Sequence, residues 1–100
     1  MGYVRIGLLE FEWDDEKARV NLSKHGVSFA EAATVFLDPL GIILDDLDHS
    51  YEEERFMLIG TSDKRNVVVV ISVSRRERYR IISARPAVPK ERRTYERRNI

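Results

Sequence analysis

Apolar and polar positions along this chain alternate, break off and resume in a pattern that predicts most of its elements. Phe11-Glu12-Trp13-Asp14 alternates as a short strand does. Asp14 or Asp15 then caps a helix that runs to Lys24 or His25, with Glu16 in its first turn and Gly26 closing it. Ala18, Asn21, Leu22 and His25 share one face of that helix, and Lys17, Asn21 and Lys24 follow its edge. Ser28-Phe29-Ala30-Glu31 is a capping box that opens a second helix. Phe29, Ala32, Ala33 and Phe36 form the buried stripe of this helix, and Asp38-Pro39 stops it. Residues 40–44, 55–60, 67–74 and 79–85 read as strands, and polar breaks at 61–66 and 75–78 make the last three an antiparallel meander. Pro86 ends the last strand, and Pro89 suits the first turn of a final helix over 90–98. The order β-α-α-β-β-β-β-α predicts an α+β domain: a small antiparallel sheet with two N-terminal helices and one C-terminal helix.

Composition narrows the class. The 100 residues fit one domain with one core, over 1–100. Cysteine is absent, which removes disulfides and zinc–cysteine sites. The longest apolar run, 67–73, is broken by Ser72 and too short to span a bilayer. With only Arg5 ahead of a short mixed stretch, the N-terminus makes a poor signal peptide, so a cytoplasmic protein is expected. Asp45, Asp46, Asp48 and His49 are metal-ligand types, but their spacing matches no ion loop. A solvated loop, with neither metal nor other cofactor, is the expectation there.

The net charge of zero conceals a division. Residues 10–54 carry thirteen acids and three bases, whereas 75–98 carry ten bases and three acids. Within the basic part, Arg80-Ile81-Ile82-Ser83-Ala84-Arg85 reads as a strand with two faces. A guanidinium group meets phosphate oxygens in pairs, which suits this end to an RNA backbone. By parity, however, Arg80 and Arg85 fall on opposite faces, and only a bulge, the Pro86 bend or a place at the strand end brings them together.

RNA can be cut without metal because its own 2′-hydroxyl attacks the neighbouring phosphate. The protein then supplies a base, an acid and cations for the crowded charge. The acid–base groups here are His25, His49, Glu77 and Tyr95, and the cations are Lys24, Arg55, Arg75, Arg80 and Arg85. Each has a plainer reading. His25 sits at the negative end of a helix dipole, where capping histidines are common. Glu77 among arginines is a surface ion pair in a turn. Tyr95 can equally pack on the sheet, and Arg92, Arg93, Arg97 and Arg98 form a solvated helix face. The five glycines make no phosphate loop, and no serine has a nucleophile-elbow context. A helix-turn-helix over 15–37 fails because its second helix is acidic and apolar.

Two groups of residues carry a family resemblance. Phe11-Glu12-Trp13-Asp14, Lys17-Ala18, Asn21, Lys24-His25-Gly26-Val27-Ser28-Phe29, Glu31-Ala32 and Val35-Phe36 form the first. Arg80-Ile81-Ile82-Ser83-Ala84-Arg85, with Glu91-Arg92 and Tyr95-Glu96, forms the second. Together they resemble the N- and C-terminal signatures of BrnT-type toxins. The resemblance implies a RelE-like fold and a ribonuclease toxin of a type II toxin–antitoxin pair, cutting RNA without metal and arresting translation. Its implied partner is a small ribbon-helix-helix (BrnA-like) antitoxin that dimerises, neutralises two toxins and makes most of the complex's DNA contacts. Carried over residue by residue, the resemblance marks Lys24, His25, Arg75, Glu77 and Arg85 as catalytic. Lys24, Arg75 and Arg85 would steady phosphate, and Glu77 or His25 would move a proton. Lys17, Arg55, Arg80 and Tyr95 are the expected further RNA contacts. Residues 1–10 lie outside both signatures and read as an extension. The competing expectation is a non-catalytic module whose basic end holds an antitoxin or a nucleic acid.

Overall fold

The chain begins with a hairpin in the computed structural model, which describes residues 1–45 and 54–98. Strands β1 (Gly2–Ile6) and β2 (Leu9–Trp13) pair antiparallel across a tight turn in which Gly7 takes φ 62°, a left-handed value open to glycine. Residues 2–6 and 9–10, which the sequence signatures do not reach, are thus part of the sheet.

Helix α1 (Asp15–His25) ends where its capping residues dictate. The Asp14 carboxylate accepts from the Lys17 amide at 2.9 Å, and Gly26, at φ 72°, donates its N–H to the Leu22 carbonyl at 2.8 Å. Helix α2 (Phe29–Thr34) starts at Ser28, whose hydroxyl accepts from the Glu31 amide at 3.0 Å; a 3₁₀ turn, Val35–Leu37, carries it to Asp38. The return half of the capping box is replaced by something else. The Glu31 carboxylate is buried and accepts from the Ser62 hydroxyl at 2.7 Å and the Asn66 amide at 3.3 Å. It ties α2 to the turn beyond the next strands.

Strands β3 (Ile42–Asp45), β4 (Arg55–Thr61), β5 (Val67–Arg75) and β6 (Arg78–Pro86) follow in antiparallel succession, and helix α3 (Pro89–Arg98) ends the fold. The sheet order is β1-β2-β6-β5-β4-β3. One pairing departs from the expected antiparallel sheet. β2 runs parallel to β6, with Glu10, Phe11 and Glu12 beside Arg78, Tyr79 and Arg80, so the sheet is mixed. The meander returns the last strand to the first hairpin with the same heading, and no local pattern encodes a pairing between such distant segments.

Each face of the sheet carries a cluster. Phe11, Phe29, Val35, Leu58, Val70 and Ile81 pack on the α2 side, with Ala18 of α1 at the margin. The Phe11 and Phe36 rings meet edge to face at 4.8 Å. Full burial of side chains such as Phe11 and Phe29 contributes about 1.5–3 kcal/mol each. On the other side Ile42, Ile59, Val69, Ala87 and Tyr95 pack together, which seats α3.

The Tyr95 hydroxyl also bonds Asp38 and lies 3.0 Å from the Thr61 hydroxyl. Burial alone would raise the Asp38 carboxyl. The Thr61 amide, the Tyr95 hydroxyl and the Leu40 amide outweigh it and hold the group below its ordinary value. Burial and that same carboxylate push the Tyr95 phenol upward.

A candidate nucleic-acid interface along the last strand

β6 is interrupted by one bulge, and the bulge sets the geometry of its charged residues. Ile71 faces Ser83, but the next residue, Ser72, faces Ile81, which leaves Ile82 without a partner on β5. Arg80 consequently sits opposite Val73 and Arg85 opposite Val69. Val69, Ile71 and Val73 alternate onto one face, so Arg80, Ser83 and Arg85 share that face despite their odd spacing in sequence.

The two arginines are nevertheless taken up by different neighbours. Arg80 bonds Glu12 of β2 at 2.8 Å. Arg85 makes a bidentate pair with Glu91 of α3, at 2.7 and 2.8 Å, and Glu91 also accepts from the Val88 amide at 2.9 Å. The Arg85 bond holds the Glu91 carboxyl below its usual value against the opposing effect of desolvation, and Glu91 in turn raises Arg85. Tyr95 is buried beneath α3 as an anchor. Arg55 opens β4 opposite Val73 and is half-buried.

Beyond Arg80, β2 no longer accompanies β6, and α1 takes its place. A hollow of about 300 Å³ opens between them, lined by Glu16, Lys17, Val20, Asn21, Lys24 and His25 of α1 and by Ile82 and Ser83 of β6. Lys17, Asn21, Lys24 and His25 stand at i, i+4, i+7 and i+8, the spacing of one helical stripe. Leu22, expected on one face with Ala18, Asn21 and His25, is instead exposed. None of Lys17, Lys24 and His25 makes a side-chain salt bridge among the described residues, so this is a pair of ammonium groups and an imidazole around one concavity.

The far end of β6 is different. A hollow of about 830 Å³ is lined by Glu10, Glu12, Arg75, Arg76, Glu77 and Arg78, with Glu77 exposed in the tight turn. The Arg78 guanidinium lies 5.0 Å over the Tyr3 ring, and its nitrogens are 3.7 and 3.9 Å from Glu12 and Glu10. At roughly 3.3 Å per strand residue, Glu77 and Ser83 are separated by about 15–20 Å along β6. The structure therefore gathers Lys17, Lys24 and His25 with Ser83, and places Arg75 and Glu77 in a second group. The described residues include no group of His, Asp and Glu arranged to hold a metal. Asp46, Asp48 and His49 lie outside the described residues.

The family model for the ribonuclease toxin BrnT of type II toxin–antitoxin systems matches residues 13–91. The chain belongs to the BrnT family. Among solved structures, the Brucella abortus ribonuclease toxin BrnT superposes with a TM-score of 0.60 at 24% identity, covering 76% of this chain and 92% of that one. At that identity the likeness speaks for the fold. No curated protein matches the chain. The span of the BrnT model takes in α1, β6 and Glu91 but leaves β1 and Tyr95 outside. As a BrnT-family toxin the chain is a ribonuclease with an antitoxin partner. No helix among the described residues is long and apolar enough to cross a membrane.

Two features of this BrnT-family chain were only partly visible in its sequence. Asn21 was visible as a polar residue on a helix stripe and as part of the first signature, but nothing in the pattern revealed its bonds to β6. The Ile82 bulge had one signal, the parity conflict between Arg80 and Arg85.

Proposed function

We propose that this chain cuts RNA without a metal, through attack of a ribose 2′-hydroxyl on the adjacent phosphate, and that the cutting arrests translation. The observation that supports this reading is the α1–β6 hollow, which Lys17, Lys24 and His25 line together without a side-chain salt bridge among the described residues. A new bond forms between O2′ and phosphorus, and the bond from phosphorus to O5′ breaks. The proton leaves O2′ for a base and reaches O5′ from an acid. His25 is the imidazole placed to carry a proton in one of these transfers, and the two ammonium groups stabilise charge on the phosphate oxygens. Glu77, which stands with Arg75 in the other group, is the alternative to His25 as proton carrier and not its partner in one transfer. Arg75, Arg80, Arg85 and Arg55 serve as flanking RNA contacts, and Tyr95 serves the same surface by holding α3. The protein acts in the cytoplasm. The antitoxin is a ribbon-helix-helix protein that binds as a dimer to two toxins and contacts DNA.

Expression without an antitoxin tests this reading. Growth arrest with falling bulk translation supports it, and purified protein should cut single-stranded RNA in excess chelator. A requirement for added divalent ion would overturn the mechanism. The exposed Arg92, Arg93, Arg97 and Arg98 of α3 favour one alternative, a non-catalytic module that holds an antitoxin or a nucleic acid through its basic end. Unhindered growth of cells rich in soluble protein would select that alternative.

A further inference from the structure

We propose that Asn21 is the positioning residue of the α1–β6 hollow: it fixes Lys17, Lys24 and His25 against Ser83 by acting as a substitute strand for β6. The inference rests on the cutting function proposed above.

Asn21 is 6% exposed and is the one buried residue of α1. Its side-chain amide donates to the Ala84 carbonyl at 2.8 Å and to the Val27 carbonyl at 3.0 Å, while its oxygen accepts from the Ala84 amide at 3.1 Å. Both backbone groups of Ala84 are thereby satisfied from the side on which β2 has ended, as a neighbouring strand residue would satisfy them. The Ala84 amide requires an acceptor, so the orientation of the Asn21 amide follows from its partners.

Apolar packing does little to locate α1. Val20 and Leu22 are 45% and 51% exposed, and only Ala18 reaches the core cluster. Lys17, Lys24 and His25 stand four before, three after and four after Asn21, which puts all three about one turn from the anchored residue. The bonds to Ala84 also fix the helix along β6 one residue beyond Ser83, where a slip of one strand residue would move the stripe by about 3.3 Å. Reacting groups tolerate far less displacement than that.

The test compares wild-type protein with Asn21→Gln and Asn21→Asp on a single-stranded RNA oligonucleotide. Asn21→Gln keeps the amide but lengthens it. It should fold, bind RNA within threefold of wild type, and lose at least tenfold in kcat at a temperature where circular dichroism shows it fully folded. Asn21→Asp sets a second acceptor against two carbonyls at neutral pH and regains one donor on protonation. Its kcat relative to wild type should therefore rise at least threefold between pH 7 and pH 5, a change that a general loss of packing would not produce. Folded Asn21→Gln with wild-type kcat, or a pH-independent ratio for Asn21→Asp, overturns the inference while leaving the cutting function standing. Should Asn21→Gln fail to fold, the pH ratio of Asn21→Asp alone decides. Wild-type protein that leaves RNA intact overturns the proposed function and the positioning role together.

Discussion

The two ends of β6 carry similar charges and use them differently. At the Arg78 end, β2 lies alongside and presents Glu10 and Glu12, so Arg80 is fastened at 2.8 Å and Arg78 is flanked by both acids. At the Ser83 end, β2 has stopped and α1 supplies Lys17, Lys24 and His25, whose side chains make no salt bridge among the described residues. A charge bonded to its own protein stabilises the fold modestly and attracts a ligand weakly, whereas an unpaired ammonium in a concavity is available to an anion. Counting basic residues would have selected the arginine-rich end. Their partners leave the other one more open to an anion, which is why the proposed site lies there.

The sharpest way to break that comparison is to remove one group from each end. His25→Ala should lower the RNA-cutting rate by about 10²–10⁴-fold, the usual weight of a general acid or base, whereas Glu77→Ala should cost less than about tenfold. Equal losses in a gel-based cleavage assay would erase the distinction. Next in size is the Arg85–Glu91 pair. Arg85→Ala leaves a half-buried carboxylate without its fork and should destabilise the protein by about 1–3 kcal/mol, read from thermal melts. The double variant with Glu91→Ala should recover part of that loss.

The acid limb of stability sharpens the picture further. Glu91 and Asp38 both have folded values below their ordinary 4.5 and 3.8, so their contribution is complete above those values and is lost as pH falls through the lower folded ones. The melting temperature should drop on acidification from pH 5 to pH 2, and Glu91→Gln should show a shallower drop. The smallest effect belongs to Arg80→Ala, about 1 kcal/mol or less, because its partner Glu12 keeps Arg78 within reach.

Local chemistry wrote most of the fold into the sequence. Asp14, Gly26, Ser28 and Pro89 mark helix ends that the structure reproduces, since a cap acts on its own few neighbours. The parallel β2–β6 pairing was not legible, because it joins the first and last quarters of the chain, and the β1–β2 hairpin was missed because its first strand lies in a stretch read as an extension. The site was legible to the same degree. Lys17, Lys24 and His25 share a stripe that helical spacing reveals, whereas the engagement of Arg85 depends on where α3 docks. Tyr95 shows the same limit: its sequence position suits a nucleotide contact, and its bonds to Asp38 and Thr61 give it an anchoring place.

The parallel seam between β2 and β6 has a consequence for synthesis. Residues 10–12 cannot find residues 78–80 until those later residues have left the ribosome, and the Ala84 partner of Asn21 emerges later still. At about 5–20 residues per second, the newborn N-terminal half waits several seconds for its seam partner. On the proposed function, a toxin assembled in this order has no cutting surface until β6 has emerged, and becomes dangerous to its host only then.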